Sequence, residues 1–490
     1  MQRLATPLVG AIVVFTTLST ALAGGLRLPD NSPRAIGRGG AFVAKADDLT
    51  AIYFNPAKLA LQRGTTLFLS ASHTLLHLSF QRLGINPLNQ QPFGRATPHQ
   101  TFLPIPYFVL ASDFGLKNWT FAIGLMAPNS VGNKSFPASG PQRYAHVASD
   151  VAMVMYTLSF AWRPLKNFSF GATLIWADLF RLRFRMIVDG NIAALNDPHY
   201  KSLEQPQFDT PIQLDAKDRI NITGIIGLWY APLRELEFGL SSFVAPINIQ
   251  AKGKMKPDWP DIYKPLVNSG QLFLTDDRIT VLSNFPIDIR FGTRYRHFKG
   301  DREIFDIELG FFVEFWSILK RQKVIPKGGV SALGDVSQLP PIEIAKNYKN
   351  TYSVRVGGDY HVHKYVTVRA GFLYESPGTP RETTNLDYTS FHRFGLSTGL
   401  SVHYKWFRAT LGYMHIFSPP RNIAQGETRV RQTIPFTKCQ PPYTDPATCP
   451  NPTTGVPPGN PVGAGNYRTG YDVLVLGFEL FFDRMFTKKK

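Results

Sequence analysis

The sequence predicts an all-β fold, a 14-stranded antiparallel transmembrane β-barrel whose lumen holds an N-terminal hatch, or plug. Three observations indicate this fold. An export leader opens a chain that has no later apolar run long enough for a membrane helix. Segments of period-two alternation recur to the C-terminus, and the connections between them alternate between short and long. That combination is typical of outer-membrane barrels.

Residues 1–23 have the composition of a secretory signal peptide. Arg3 provides a positive charge, residues 8–18 form an apolar core, and Ala21 and Ala23 are the small residues of a cleavage site. The stretch is shorter than the roughly 20 apolar residues of a membrane helix. We therefore expect an exported chain. If it enters a membrane it must close as a barrel, because lipid cannot satisfy unpaired backbone groups.

Composition narrows the expected partners. The 490 residues carry a net charge of +18, yet export from the cytoplasm argues against nucleic acid. Outer-membrane lipid, lipopolysaccharide phosphates and carboxylate ligands are better partners for exported Lys and Arg, and we expect a monomer. Cys439 and Cys449 lie close together in a Pro-rich stretch, so a loop disulfide is expected in an oxidising compartment. We expect no cofactor and no metal.

The clearest strand pattern lies at residues 305–316. The odd positions, Phe305 to Phe315, are all apolar, whereas the even positions include Asp306, Glu308 and Glu314. Only a strand places these two sets on opposite faces. The apolar face would suit contact with lipid outside a barrel, and the acidic face would suit contact with water inside it.

Candidate strands cover residues 65–82, 101–112, 118–127, 148–163, 168–187, 215–230, 236–251, 277–297, 302–318, 348–360, 365–377, 391–405, 407–418 and 469–486. Turns of a few residues alternate with long connections between them. A soluble sandwich has no reason to sort its connections by length in this way, whereas an outer-membrane barrel has short periplasmic turns and long extracellular loops.

Two segments are candidate ligand-binding regions. In the fifth strand Arg181, Arg183 and Arg185 alternate with apolar residues, and we expect them to face the lumen, where arginine can bind a carboxylate. The alternative is a solvated lumen wall balanced by acidic residues of other strands.

In the long connection 252–276, the apolar residues have the spacing of one helical face; they are Trp259, Ile262, Tyr263, Leu266 and Val267. An apolar patch on an extracellular loop could receive lipid-like molecules, with Trp259, Tyr263 and Leu266 as ligand contacts. Packing against a neighbouring loop is the alternative.

Residues 24–63 precede the first strand and are rich in small and turn-forming residues, so they could fold inside the lumen, leaving residues 64–490 for the barrel. The segment contains Gly37-Arg38, Asp47-Asp48 and Asn55-Pro56-Ala57. No strand-then-helix context surrounds its glycines, which argues against a nucleotide loop.

These motifs resemble the N-terminal signature of the FadL/TodX family of outer-membrane transporters of hydrophobic compounds. The resemblance continues at Leu125-Met126-Ala127-Pro128, at Glu314-Phe315-Trp316-Ser317 and at residues 368–377. It implies a hatch containing Gly37, Arg38, Asp47, Asp48, Asn55, Pro56 and Ala57. It also implies a lateral opening in the wall near Gly124 and Pro128.

The function implied by the resemblance is passive uptake of hydrophobic molecules, with long-chain fatty acids expected first and monoaromatic hydrocarbons as the alternative. The chain departs from the usual barrel end, because a basic extension follows Phe486. No nucleophile elbow is present, so we do not expect an enzyme. An outer-membrane lipid hydrolase using His73 or His77 is the alternative from another class, and a polar porin is a third.

Overall fold

The computed structural model describes residues 32–100, 104–127, 133–191, 204–432 and 460–486. The expected signal peptide, Pro128 and both cysteines lie outside these ranges. The chain forms a closed 14-strand antiparallel β-barrel, as the alternation predicts. No helix in the described ranges is long and apolar enough to cross a membrane.

The barrel strands run in chain order: β1 Thr65–Arg82, β2 Ile105–Ser112, β3 Trp119–Met126, β4 Ala148–Leu165, β5 Phe168–Asp189, β6 Asp209–Tyr230, β7 Leu236–Phe243 continued by Ile247–Pro257, β8 Arg278–Phe285 continued by Asp288–Lys299, β9 Arg302–Glu314, β10 Thr351–His363, β11 Val366–Glu375, β12 Arg393–Tyr404, β13 Phe407–Phe417 and β14 Gly465–Phe481. Each pairs with its neighbours along the chain. β1 closes the barrel against β14, from Thr66 opposite Phe481 to Arg82 opposite Gly465.

Strands β7 and β8 are interrupted where the sequence predicts continuous strands. Pro246 lies in the break of β7, and Pro286 lies in the break of β8. Proline has no backbone N–H to donate to a ladder, so a central strand tends to break at it. The two outer halves still pair with each other, from Ile247 opposite Phe285 to Lys254 opposite Arg278.

The faces of β9 agree with the sequence pattern. Phe305 and Leu309 are 36% and 54% exposed on the outside, whereas Asp306 and Glu308 are 2% and 0% exposed on the inside. The same apolar outer band recurs around the barrel, for example at Leu474 on β14. Such a band is what lipid requires. The inner acids, however, are covered by protein rather than by open water.

The protein that covers them is the segment 32–62, which we call the hatch. It consists of α1 (Pro33–Gly37), α2 (Ala51–Phe54) and a 3₁₀-helix (Pro56–Leu61). Ser32 accepts a hydrogen bond from the Ala35 N–H and so caps α1. Apart from Asp47, Leu61 and Gln62, every hatch residue is buried.

Inward glycines of the wall allow the hatch backbone to come close. A side chain at any of these positions would overlap or crowd hatch atoms: Gly171, Gly227, Gly239, Gly357, Gly371, Gly399 and Gly412. The hatch therefore contacts the wall through backbone as well as through side chains.

Candidate functional site

Arg38 is the centre of the hatch–wall contact. Its guanidinium lies 2.7 Å from Asp306 Oδ1, forms an ion pair with Asp359, and donates to the Gly357 carbonyl at 3.2 Å. All three charged side chains are 0% exposed. A buried charge is tolerated only when its partners replace water. Arg38 meets that condition through β9 and β10.

Glu308 of β9 holds the next turn of the hatch. Its carboxylate accepts backbone N–H groups from Val43, Ala44 and Lys45 at 2.6, 3.0 and 2.9 Å. The Lys45 ammonium lies 2.8 Å from Asp306. The acids that the sequence places on the inner face of β9 therefore bind the hatch.

The remaining predicted hatch residues also contact wall or hatch groups. Asn55 Nδ2 donates to the Leu228 carbonyl of β6 at 3.0 Å, and its Oδ1 accepts from the Ala57 N–H at 3.2 Å. Pro56 occupies the first turn of the 3₁₀-helix, where no N–H is needed. A Cβ on Gly37 would lie 2.9 Å from the Cα of Gly399.

The two aspartates of the hatch differ in environment. Asp47 pairs with Arg34 at 2.6 Å and is 37% exposed. Asp48 is fully buried and accepts from the Thr50 N–H at 2.9 Å and the Ser32 hydroxyl at 3.2 Å. Burial raises the pKa of Asp48 to about 6.

In the part of the chain that the structure describes, the pairing of β3 with β4 has a discontinuity next to Gly124. β3 pairs with β4 as far as Met126 opposite Met155, and pairing resumes only at Lys134 opposite Ser149. No ladder partner within the described ranges covers this edge of β4 at residues 150–154. A Cβ on Gly124 would lie 2.7 Å from Ile52 Cδ1 of the hatch. This glycine therefore lies where hatch, wall and discontinuity meet.

A second region lies inside the barrel beneath the long connections. It is a cavity of about 80 Å³ that is partly open to solvent. Its walls are mostly apolar and come from β4 to β8, including Val151, Leu182, Phe184, Leu214, Ile249 and Val281. An apolar lining with a few polar groups is common in sites for small hydrophobic ligands.

One end of this cavity is polar, at His146, Asn385, Asp387 and Tyr388. Lys346 forms an ion pair with the Asp387 carboxylate, and Lys134 donates to the Asp387 carbonyl. The Lys134 and Lys346 ammonium groups lie 6.0 and 5.6 Å from the Tyr388 ring centre. Two lysines thus share one aspartate.

Burial changes the ionisation of these loop groups. It lowers the pKa of Lys134 to about 8, and it lowers the pKa of His146 to about 3, with the Lys134 charge adding to the effect. His146 is 5% exposed, and its Nε2 has no hydrogen-bond partner within the ranges the structure describes. A neutral imidazole therefore offers one unused polar atom at the cavity wall.

The expectation that the three arginines of β5 face the lumen is wrong. Leu182 and Phe184 line the cavity, so the alternate side chains of Arg181 and Arg183 point outward; they pair with Asp150 at 3.1 Å and Asp215 at 2.8 Å. Arg185 contributes to the cavity wall, but its guanidinium is 45% exposed and lies 4.0 Å from Asp258. Alternation separates two faces without saying which one is inside.

The connection after β7 combines the two alternatives from the sequence, packing against neighbouring loops and an accessible apolar surface. A 3₁₀ turn (Asp261–Tyr263) leads into a short helix (Lys264–Asn268). Tyr263 is buried against Leu272 and Val330 of neighbouring loop segments, with Leu266 packed beside them. Trp259 and Val267 are partly buried against the same cluster and also line an open groove.

Two further groups of titratable side chains already have protein partners. Glu303, Asp306 and His361 are close enough to hold a cation together, but Arg294 bridges the two carboxylates at 2.5 and 3.0 Å. His77, from the hydrolase alternative, lies on the outer face of β1 and is 2.5 Å from Asp472 of β14.

Comparison with known proteins agrees with this architecture. A family model described as "Outer membrane protein transport protein (OMPP1/FadL/TodX)" matches residues 13–411. A search of curated proteins found no match.

Solved structures share the fold at low sequence identity. A Pseudomonas aeruginosa FadL homologue superposes with a TM-score of 0.71 at 15% identity, covering 94% of this chain and 100% of its own. The P. putida toluene transporter TodX gives 0.61 at 13% identity, with 91% and 97% covered. The CymD monoaromatic hydrocarbon channel gives 0.57 at 14%, with 94% and 99% covered.

Proposed function

The chain belongs to the outer membrane transport protein family (OMPP1/FadL/TodX), and on that basis we propose that it takes up carboxylate-bearing hydrophobic molecules, above all long-chain fatty acids, by passive diffusion. The family is one of transporters in the outer membrane rather than of enzymes. The choice of substrate within the family is our inference from the cavity.

One observation supports the choice of a carboxylate. At the polar end of the cavity, Lys346 pairs with the Asp387 carboxylate and Lys134 donates to the Asp387 backbone carbonyl, which leaves one positive charge in excess while both lysines are charged. The apolar walls would contact the part of an alkyl chain next to the head group, and the unused Nε2 of His146 could donate to the head group itself. A neutral aromatic hydrocarbon would use neither the excess positive charge nor the His146 Nε2.

The proposed route leads from the cavity to the wall beside the hatch. Ligand would enter through the groove lined by Trp259 and Val267 or between the loops, and would bind with its head group near Asp387. It would leave sideways at the discontinuity between Met126 and Lys134, where Gly124 contacts Ile52 of the hatch. No energy source is needed, because the ligand moves down its gradient.

The test compares oleate with oleyl alcohol, which has the same chain and no charge. We expect purified protein in detergent to bind oleate about tenfold more tightly, since a charged hydrogen bond contributes about 1.5–3 kcal/mol. Lys134→Gln should remove that preference and leave alcohol binding unchanged. Lys117→Gln, an exposed lysine of a short turn, is the matched control.

Equal binding of both ligands, insensitive to Lys134→Gln, would refute carboxylate recognition and leave hydrophobic uptake standing. Displacement of bound ligand by toluene at comparable concentration would then favour a monoaromatic hydrocarbon. Failure of proteoliposomes to admit either class of molecule would refute uptake itself.

A further inference from the structure

The outer surface of β5 to β8 carries a lattice of basic side chains beyond the apolar band. On β6 the exposed residues Ile220, Ile222 and Ile226 belong to the band. Residues 220–230 already suffice to cross a membrane, since a tilted strand needs about 9–11 residues. β6 continues to Asp209, so its outer half projects past the hydrocarbon.

Alternation shows that this lattice faces outward. On β6, Leu214 and Ala216 are 2% and 1% exposed, and on β7, Ala251 and Met255 are 0% and 3% exposed, so all four face inward. The residues between them therefore face out, and the basic ones are exposed: Lys217, Lys252, Lys254 and Lys256. They continue the outward row of Arg181, Arg183 and Arg185 on β5.

Two lysines of the lattice face each other directly. Lys217 of β6 is the register partner of Lys252 of β7. Directly opposed residues have Cβ atoms roughly 5 Å apart, and like charges at that spacing are destabilising. Neither lysine has an ion-pair partner in the described part of the chain. Among the described residues, no carboxylate neutralises the two lysines, so an anion from outside the protein could do so.

A second basic group lies further from the band. Gln213 of β6 is flanked by its register partners Arg185 of β5 and Lys256 of β7. Lys256 also forms no ion pair with the described residues. Gln213 and Lys217 are four residues apart on β6, which is roughly 13 Å at 3.3 Å per residue. The two basic groups are therefore stacked one above the other, starting at the edge of the lipid band.

Other cations of the lattice are already neutralised. Arg183 pairs with Asp215 at 2.8 Å, Lys254 with Asp277 at 3.0 Å, and Arg219 with Asp178 at 2.6 Å. Arg185 lies 4.0 Å from Asp258, so the positive charge left over among the described residues belongs to Lys217, Lys252 and Lys256 and not to the whole surface. Phosphate suits such groups, because its oxygens accept several charged hydrogen bonds at once.

We propose that this outer face of β5 to β7 binds the phosphates of a glycolipid of the outer leaflet, that is, lipopolysaccharide. A phosphate between Lys217 and Lys252 would relieve their repulsion. A second phosphate on the same sugar backbone would reach Arg185 and Lys256. Binding here would anchor the side of the barrel whose inner face lines the cavity. The proposal does not depend on which molecule the barrel transports.

The experiment measures binding of deep-rough lipopolysaccharide to purified protein in detergent at several salt concentrations. We expect Lys217→Gln/Lys252→Gln/Lys256→Gln to weaken binding at least tenfold and to reduce its salt dependence. The matched control is Lys117→Gln/Lys166→Gln/Lys299→Gln, which removes the same charge from exposed lysines near the short turns. That control should bind as the parent does.

Enzymatically dephosphorylated lipopolysaccharide should fail to bind the parent protein. Equal binding of the dephosphorylated form, or an equal loss in the control triple variant, would overturn the proposal. Equal binding of phosphatidylglycerol would assign the surface to phospholipid and would overturn the choice of glycolipid. Unchanged heat-modifiable migration of both triple variants on gels establishes that the barrel is folded.

Discussion

The hatch contact and the loop cavity both bury charge, but they compensate it differently. Around Arg38, every buried charge has partners from the barrel wall, and wall glycines bring the two backbones together. Around Asp387, Lys346 pairs with the carboxylate, Lys134 donates to the backbone carbonyl, and His146 Nε2 is unused. The first region is complete without a ligand, and the second has a charge and a polar atom to offer one.

The difference separates a structural role from a binding role more clearly than charge alone does. The acids of β9 hold the hatch, so a cluster of buried ions inside a transport barrel is no evidence of a substrate site. A site for substrate is better recognised by incomplete pairing next to apolar walls. Each prediction below tests one side of this comparison.

The largest expected effect comes from removing one ion-pair partner at the contact between the hatch and the wall. Arg38→Met would leave Asp306 and Asp359 buried with less positive charge, and removal of one partner of a buried ion pair costs about 3–5 kcal/mol. We expect a marked fall in the midpoint of thermal unfolding, read from heat-modifiable gel migration. Arg234→Met, whose partner Asp301 is fully exposed, is the control and should change little. An unchanged midpoint for Arg38→Met would refute the structural role.

The backbone approach can be tested without altering charge. Gly371→Ala would place a methyl group against the Arg38 backbone, and overpacking of this kind costs about 1–3 kcal/mol. We expect a lower unfolding midpoint and faster proteolysis of the hatch. At Gly94 a Cβ meets nothing within 4 Å, so Gly94→Ala is the matched control. Equal behaviour of the two variants would show that the hatch does not press on the wall.

These two regions also show what the sequence could predict. Period-two alternation with apolar odd positions fixed the faces of β9, because lipid constrains one side of a strand completely. The inward glycines of β5, β6, β7, β10, β11, β12 and β13 are a further sequence signal of the hatch. A glycine recurring at lumen-facing positions indicates that another backbone comes close there.

The cavity was beyond prediction from local patterns. Its polar end brings together Lys134, His146, Lys346 and Asp387 from three different connections, and no spacing in the chain relates them. The arginines of β5 were assigned to the wrong face for a different reason. Beyond the lipid band, water lies outside and the apolar cavity inside, so the usual orientation inverts. The register of β5 also shifts between Ala177 and Leu182.

Oleate binding at the polar end of the cavity, near Asp387, should depend on pH. The pKa of Lys134 is lowered to about 8, so its charge is present below that value and is lost as pH rises through it. Oleate affinity should therefore fall severalfold to tenfold between pH 7 and pH 9.5, whereas oleyl alcohol affinity should stay constant. Lys134→Arg should flatten the profile, because arginine stays charged. A pH-dependent loss of alcohol binding would point to unfolding of the loops instead.

The smallest expected effect is on the outward arginines. Arg181→Gln/Arg183→Gln/Arg185→Gln removes three solvent-accessible ion pairs, of which only that of Arg185 borders the cavity, and such pairs contribute little. Oleate affinity should change less than twofold, measured by displacement of a fluorescent fatty acid. A loss comparable with that of Lys134→Gln would place the carboxylate at β5. The excess charge near Asp387 would then have no part in binding.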